Sequence, residues 1–325
     1  MCVPDTSYLS SPDFLLLSSR ILLALDVPIL SYGTYCILFK TPNTMRPVKW
    51  LILNLHFWSS ILEIILSLFG VPFVFLPHAA GYGLGLIEAP KVWIYLGLCL
   101  LVAVDASIAL IYENRYYMLY ARDSQWAQVR KPCLAAVFTI NLLICQPPFL
   151  LIPDQPTARK IVLEKLPSLP QYSFKGREMF VLSTSWEIPL ISLTAGFFVL
   201  TPPIVTFLSL TFYHLAKSSS AVSHHTQKLQ RQLIKALTLQ SSFLIAILGV
   251  PFLAVIATMI LEYHYQGLNN LIYVALALHG TGSTIVMILV HQPYRDFTIS
   301  AICGRFKSPL GEQPELVSPS LRLTT

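Results

Sequence analysis

The chain has 325 residues, of which 54% are apolar and only 12% charged, with a formal net charge of +6. A water-soluble domain carries about a quarter charged residues, so this composition excludes an ordinary soluble core and points to lipid as the solvent. The basic excess is spread singly between apolar runs, which suits loops at a membrane surface and excludes a nucleic-acid-binding face.

Read in order, the sequence gives seven apolar stretches long enough to cross a hydrocarbon layer of about 30 Å as helices. A short polar start without Lys or Arg precedes a first helix over 15–39, which carries Arg20, Asp26 and Pro28. No basic segment or cleavage site marks a removed leader, so the first helix is expected to do the targeting. The link 40–49 breaks helix with two prolines and holds Lys40, Arg46 and Lys49. A second helix is expected over 50–76, then a turn bearing Gly and Pro, then a third helix over 92–117 ending in Glu113-Asn114-Arg115-Tyr116. Helix four spans 132–152, and a long polar loop over 153–187 leads to helix five over 188–215, kinked near Pro202 and Pro203. Helices six (236–261, with Pro251) and seven (269–290) follow. A membrane-surface helix is expected over 295–306 and a flexible cytoplasmic tail over 307–325. The expected class is therefore all-α: a seven-helix transmembrane bundle over 1–306.

An odd number of spans puts the two ends of the chain on opposite sides. With the N-terminus outside, the inner links and tail hold fifteen of the 22 basic residues. The outer links hold the other seven, five of them in the single loop over 153–187. Short inner loops rich in Lys and Arg set the orientation as N-terminus outside and C-terminus in the cytoplasm.

Ionisable groups at membrane depth cost on the order of 2.5–3.5 kcal/mol at a helix centre, so they are functional candidates. Asp26, Glu63, Asp105 and His279 fall at about 15–20 Å depth on four helices, counting about 1.5 Å per residue. With Asn54 they are expected to form an intramembrane polar network, either rearranging on ligand binding or acting as static interhelical glue. The six cysteines have no paired spacing for zinc or redox work. No phosphate loop, metal pair or protease motif is present, so neither an enzyme nor a metal or cofactor is expected.

At the inner ends, Leu229, Leu233 and Leu237 recur on one helical face with Lys228, Arg231 and Lys235 off it, which extends helix six beyond the bilayer as a basic stalk. Cys303, near the end of the surface helix, is a candidate for acylation. Lys40-Thr-Pro with Met45 and Lys49, Leu55-His56-x-Trp58, Glu113-Asn-Arg-Tyr116 and His291-x-Pro-Tyr-Arg295 occur together, in that order. In this combination the chain resembles the nematode serpentine chemoreceptors of class H (Srh), within the G-protein-coupled receptor superfamily.

The resemblance implies chemosensory reception at the plasma membrane, in sensory-neuron cilia, with coupling to a heterotrimeric G protein. On that view Glu113, Arg115, Tyr116, Lys235, Tyr294 and Arg295 serve the coupling. Gly97, Leu98, Leu101, Phe197 and Phe252 are the expected walls of a pocket for a small chemical ligand. Two departures from the larger rhodopsin-like group stand out. The 153–187 loop has no cysteine to clamp it to helix three, and Asn114 separates the acid from the arginine. The alternatives are a seven-helix ligand-gated channel or transporter, and a receptor-like membrane protein without its own ligand.

Overall fold

A computed structural model describes residues 7–165, 176–217 and 224–304. The tail expected over 307–325, the end of the surface helix and the middle of the 153–187 loop lie outside these residues, as does the side chain of Leu229. Seven helices are long and apolar enough to cross a membrane, and the protein is a multi-pass membrane protein.

The first is α1, Pro12–Phe39, whose start is fixed by Ser11: its hydroxyl accepts from the Phe14 amide at 3.1 Å, and Pro12 occupies the first turn, where no amide is needed. The second is α2, Arg46–Ile64, continued by a widened turn over Ile65–Gly70. It stops at Gly70 rather than at 76 because Val71 takes a left-handed conformation (φ 41°) and turns the chain into a strand. The strands are β1, Pro72–Val74, and β2, Ala79–Gly83. The third span, α3, covers Pro90–Tyr116 and runs on through a widened turn to Ala121. Then come α4, Trp126–Ile144; the short α5, Pro147–Leu150; and α6, Gln155–Lys165. They lead to β3, Phe180–Ser183, and α7, Glu187–Lys217. The sixth span is α8, His224–Ile260. The seventh is broken at Leu278 into α9, Gln266–Ala277, and α10, His279–Val290, and α11, Gln292–Ile302, follows it.

The small antiparallel sheet, in the order β1-β2-β3, is the feature an all-helical expectation lacks. Its residues sit in apolar or turn-like sequence, and β3 pairs with β2 across about a hundred positions of chain. It caps one end of the bundle. Phe73 stacks on Tyr82 at 5.2 Å, and α6 is tied to β3 through Gln155, whose amide donates to the Val181 carbonyl and accepts from its N–H, both at 3.0 Å. The other end is the Arg115 end.

The main core lies between α2, α3, α8 and α10, where Ile52, Leu55, Ile108, Leu237, Leu244 and Met287 are fully or almost fully buried. Small residues let helices approach closely. A Cβ on Gly33 of α1 would fall 2.5 Å from the Thr284 methyl of α10 and 3.1 Å from the His56 ring of α2.

Candidate functional site

Beneath the sheet lies a cavity of about 330 Å³. Its walls come from α2, α3, α7, α8 and α9, with β1, β2 and β3 above. Gly97, Leu98 and Leu101 of α3 line it, together with Leu62, Trp93 and Leu248. Phe197 and Phe252 do not; they stack on each other at 6.2 Å, joining α7 to α8, and Phe197 is exposed toward lipid. Gly97 has nothing within 4 Å of where a Cβ would stand, so its place on α3 is open space.

The polar residues of the bundle centre fall into separate groups. Asp26 on α1 accepts a 2.6 Å hydrogen bond from Thr281 of α10, and Glu63 of α2 lies within electrostatic reach of it. Gly280 gives Glu63 its room, since a Cβ there would meet its carboxyl oxygen at 1.9 Å. Asn54 of α2 donates to Ser107 of α3 at 2.7 Å and accepts from Trp58 at 3.1 Å. His56 bridges three helices, with Thr34 and the Leu30 carbonyl of α1 each 3.0 Å from its Nε2 and Thr284 of α10 3.3 Å from its Nδ1. His279 is fully buried, with Nδ1 2.7 Å from the Leu276 carbonyl of its own span. Asp105 is half-buried on α3 and joins none of these groups among the described residues.

At the Arg115 end, the fully buried Glu113 does not pair with Arg115. Arg130 of α4 holds it from Nε at 2.9 Å and from Nη2 at 2.7 Å, and Trp126 donates to it at 2.8 Å. The Arg130 guanidinium also lies over the Tyr117 ring at 3.7 Å. Arg115 is left with Nε and Nη2 buried and without a partner among the described residues. It faces the junction of α10 and α11, within electrostatic reach of His291, which is itself 3.1 Å from Gln240 of α8. No acidic residue occurs anywhere in α8, so that helix offers Arg115 no ion pair. Tyr116 packs on Phe207 and His214 of α7. Tyr294 is buried with its hydroxyl 2.7 Å from Thr41, whereas Lys235 and Arg295 are exposed, as is Cys303 at the end of α11.

The family model for the serpentine type 7TM GPCR chemoreceptor Srh matches residues 10–304. The chain belongs to that family. It is 27% identical over 304 residues to serpentine receptor class H-72 of Caenorhabditis elegans, covering 91% of this chain and 88% of the relative. Its fold resembles the crystal structure of squid rhodopsin with a TM-score of 0.51 at 13% identity, over 94% of this chain and 87% of that one. Srh is a receptor family, not an enzyme family.

Several residues that complete these sites in the Srh chain have no sequence signal. Arg130 and Trp126 read only as an inner-loop cation and an aromatic, and Thr281 and Ser107 as ordinary small polar residues of membrane helices. Trp93, at the start of an apolar run, reads as an interface anchor, yet it is buried against Gly70 and Gly83 and forms a wall of the cavity.

Proposed function

We propose that the protein is a chemosensory receptor. It takes a small, largely apolar external molecule into the cavity under the sheet and signals to a heterotrimeric G protein at the Arg115 end. The observation that carries this reading is the pairing of an apolar cavity at one end of α3 with a half-buried arginine, lacking an acidic partner among the described residues, at the other. From Leu101 to Arg115 the helix rises about 21 Å at 1.5 Å per residue, so one rigid element touches both sites. A ligand shifts the bundle only as far as its affinities for two arrangements differ. Here α8 both walls the cavity at Leu248 and faces Arg115 through Gln240 and His291. Small displacements of α8 therefore reach both.

The sheet end is taken as external and the Arg115 end as cytoplasmic, from the distribution of basic residues. The plasma membrane of sensory-neuron cilia is the proposed location. Membrane lipid surrounds the exposed faces, and α11 lies at the cytoplasmic surface with Cys303 as an acylation candidate.

The test is a calcium readout in cells expressing the full chain with a promiscuous G protein, screened against volatile and soluble chemicals. Gly97→Phe is expected to reach the surface and lose the response. A response that survives the cavity-filling change moves the ligand elsewhere, and a current that persists with G proteins blocked makes the protein a channel. Epitope tags on intact cells test the orientation: an exposed C-terminal tag overturns it.

A further inference from the structure

Above the apolar cavity is a second one of about 370 Å³ with a different lining, formed by Glu88, Arg159, Arg177 and Glu178. The two share three wall residues, Tyr82, Pro90 and Phe180. Tyr82 and Phe180 stand on adjacent strands, where Gly81 pairs with Phe180. The polar and apolar spaces therefore adjoin at these side chains, at the sheet edge.

The arginines are built in, and the glutamates are not. Arg177 donates to the carbonyls of Gly83 and Gly85, and Arg159 to that of Met179 at 2.6 Å. Their side chains are 25% and 29% exposed, whereas Glu88 and Glu178, their ion-pair partners at 3.6 and 2.6 Å, are 77% and 75% exposed. Exposed ion pairs contribute little net stability and hold their members loosely. The fixed charge at this wall is therefore positive, and the compensating charge can swing into water. A carboxylate matches the planar guanidinium fork.

Resting on the receptor reading above, we propose that the ligand is an anionic amphiphile. Its carboxylate or similar anionic head lies between Arg159 and Arg177, and its apolar tail passes Phe180 into the cavity lined by Gly97 and Leu98. The apolar cavity is at the small end of ligand pockets, which span roughly 300–1,000 Å³, so the tail is a single short chain rather than a lipid with two.

The experiment uses the full-length protein in lipid nanodiscs, with decanoate, decanol and decyltrimethylammonium as probes. Binding is read as the shift in melting temperature with concentration, and Gly97→Phe receptor serves as the blank for partition into the bilayer. Decanoate is expected to bind about tenfold or more tighter than decanol, as hydrogen bonds to charged groups allow, and the cation weakest. Shortening the acid is expected to weaken binding about fourfold per methylene. Arg159→Gln and Arg177→Gln are expected to bring decanoate down to the level of decanol while leaving decanol unchanged. Arg177→Lys, which keeps the charge, is expected to retain much of the preference and guards against a misfolded loop in the glutamine variant.

Equal binding of acid and alcohol to the unaltered receptor overturns the proposal, as does an acid preference that survives loss of both arginines. No G protein is needed for this readout. A receptor that prefers decanoate but drives no G-protein turnover with any chemical refutes the receptor reading and leaves this one standing. A receptor that signals to other chemicals while binding acid and alcohol alike does the reverse.

Discussion

Glu113 of α3 is clasped by Arg130 of α4, with Nη2 2.7 Å from one carboxylate oxygen, while Arg115, two residues further along the same helix and so turned to its other side, is left without an acid among the described residues. The acid near the arginine thus binds α3 to α4 and does not restrain the arginine. Glu113 is completely buried and Arg130 is 19% exposed. Breaking a buried pair by removing one member leaves a charge without compensation.

Arg130→Ala is therefore expected to destabilise the fold by about 3–5 kcal/mol and to reduce surface expression. Glu113→Gln in the same chain should recover part of that loss, because the orphaned charge is gone. Thermal melts of the two single variants and the double variant measure the coupling. Additive losses would show that the pair carries no interaction energy.

Arg115→Ala is expected to do the opposite. Its buried nitrogens lack partners among the described residues, so truncation removes an unsatisfied group and should leave the melting temperature unchanged or raised. Ligand-driven signalling should be lost at normal surface expression. Unchanged signalling in the calcium readout would remove Arg115 from the mechanism.

Gly280→Ala places a methyl group 1.9 Å from the Glu63 carboxyl. Overpacking of this kind costs about 1–3 kcal/mol, because α10 must move away from α2. Glu63→Ala beside it should restore most of the stability by opening the space. A double variant no more stable than Gly280→Ala alone would mean that the strain lies in the backbone and not at Glu63.

His78, in the turn between β1 and β2, has its imidazole held below the ordinary 6.5, first by burial and then by the nearby Lys165 and His264, with Glu262 opposing them. In the window below pH 6.5 the unfolded chain binds a proton that the folded turn resists. The contribution of His78 is therefore complete above that pH and declines as the pH falls toward the folded value. Melting temperature should drop between pH 7.5 and 5.5, and His78→Gln should flatten that dependence. An unchanged slope in the variant would assign the effect to other groups.

The sequence alone was enough for the seven spans, because a run such as Val92 to Tyr112 has no other stable place than a hydrocarbon layer, and local composition records that. The family was readable too, since its marks, such as Glu113-Asn-Arg-Tyr116, are contiguous in the chain. The neighbours of Arg115 and of Asp26 were set by the tertiary structure. Arg130, Thr281 and the strand over Phe180–Ser183 reach their partners across turns and whole helices. Such pairings depend on helix rotation, on the close approaches that Gly33 and Gly280 permit, and on the turn at Val71. These are properties of packed surfaces rather than of any one stretch of sequence.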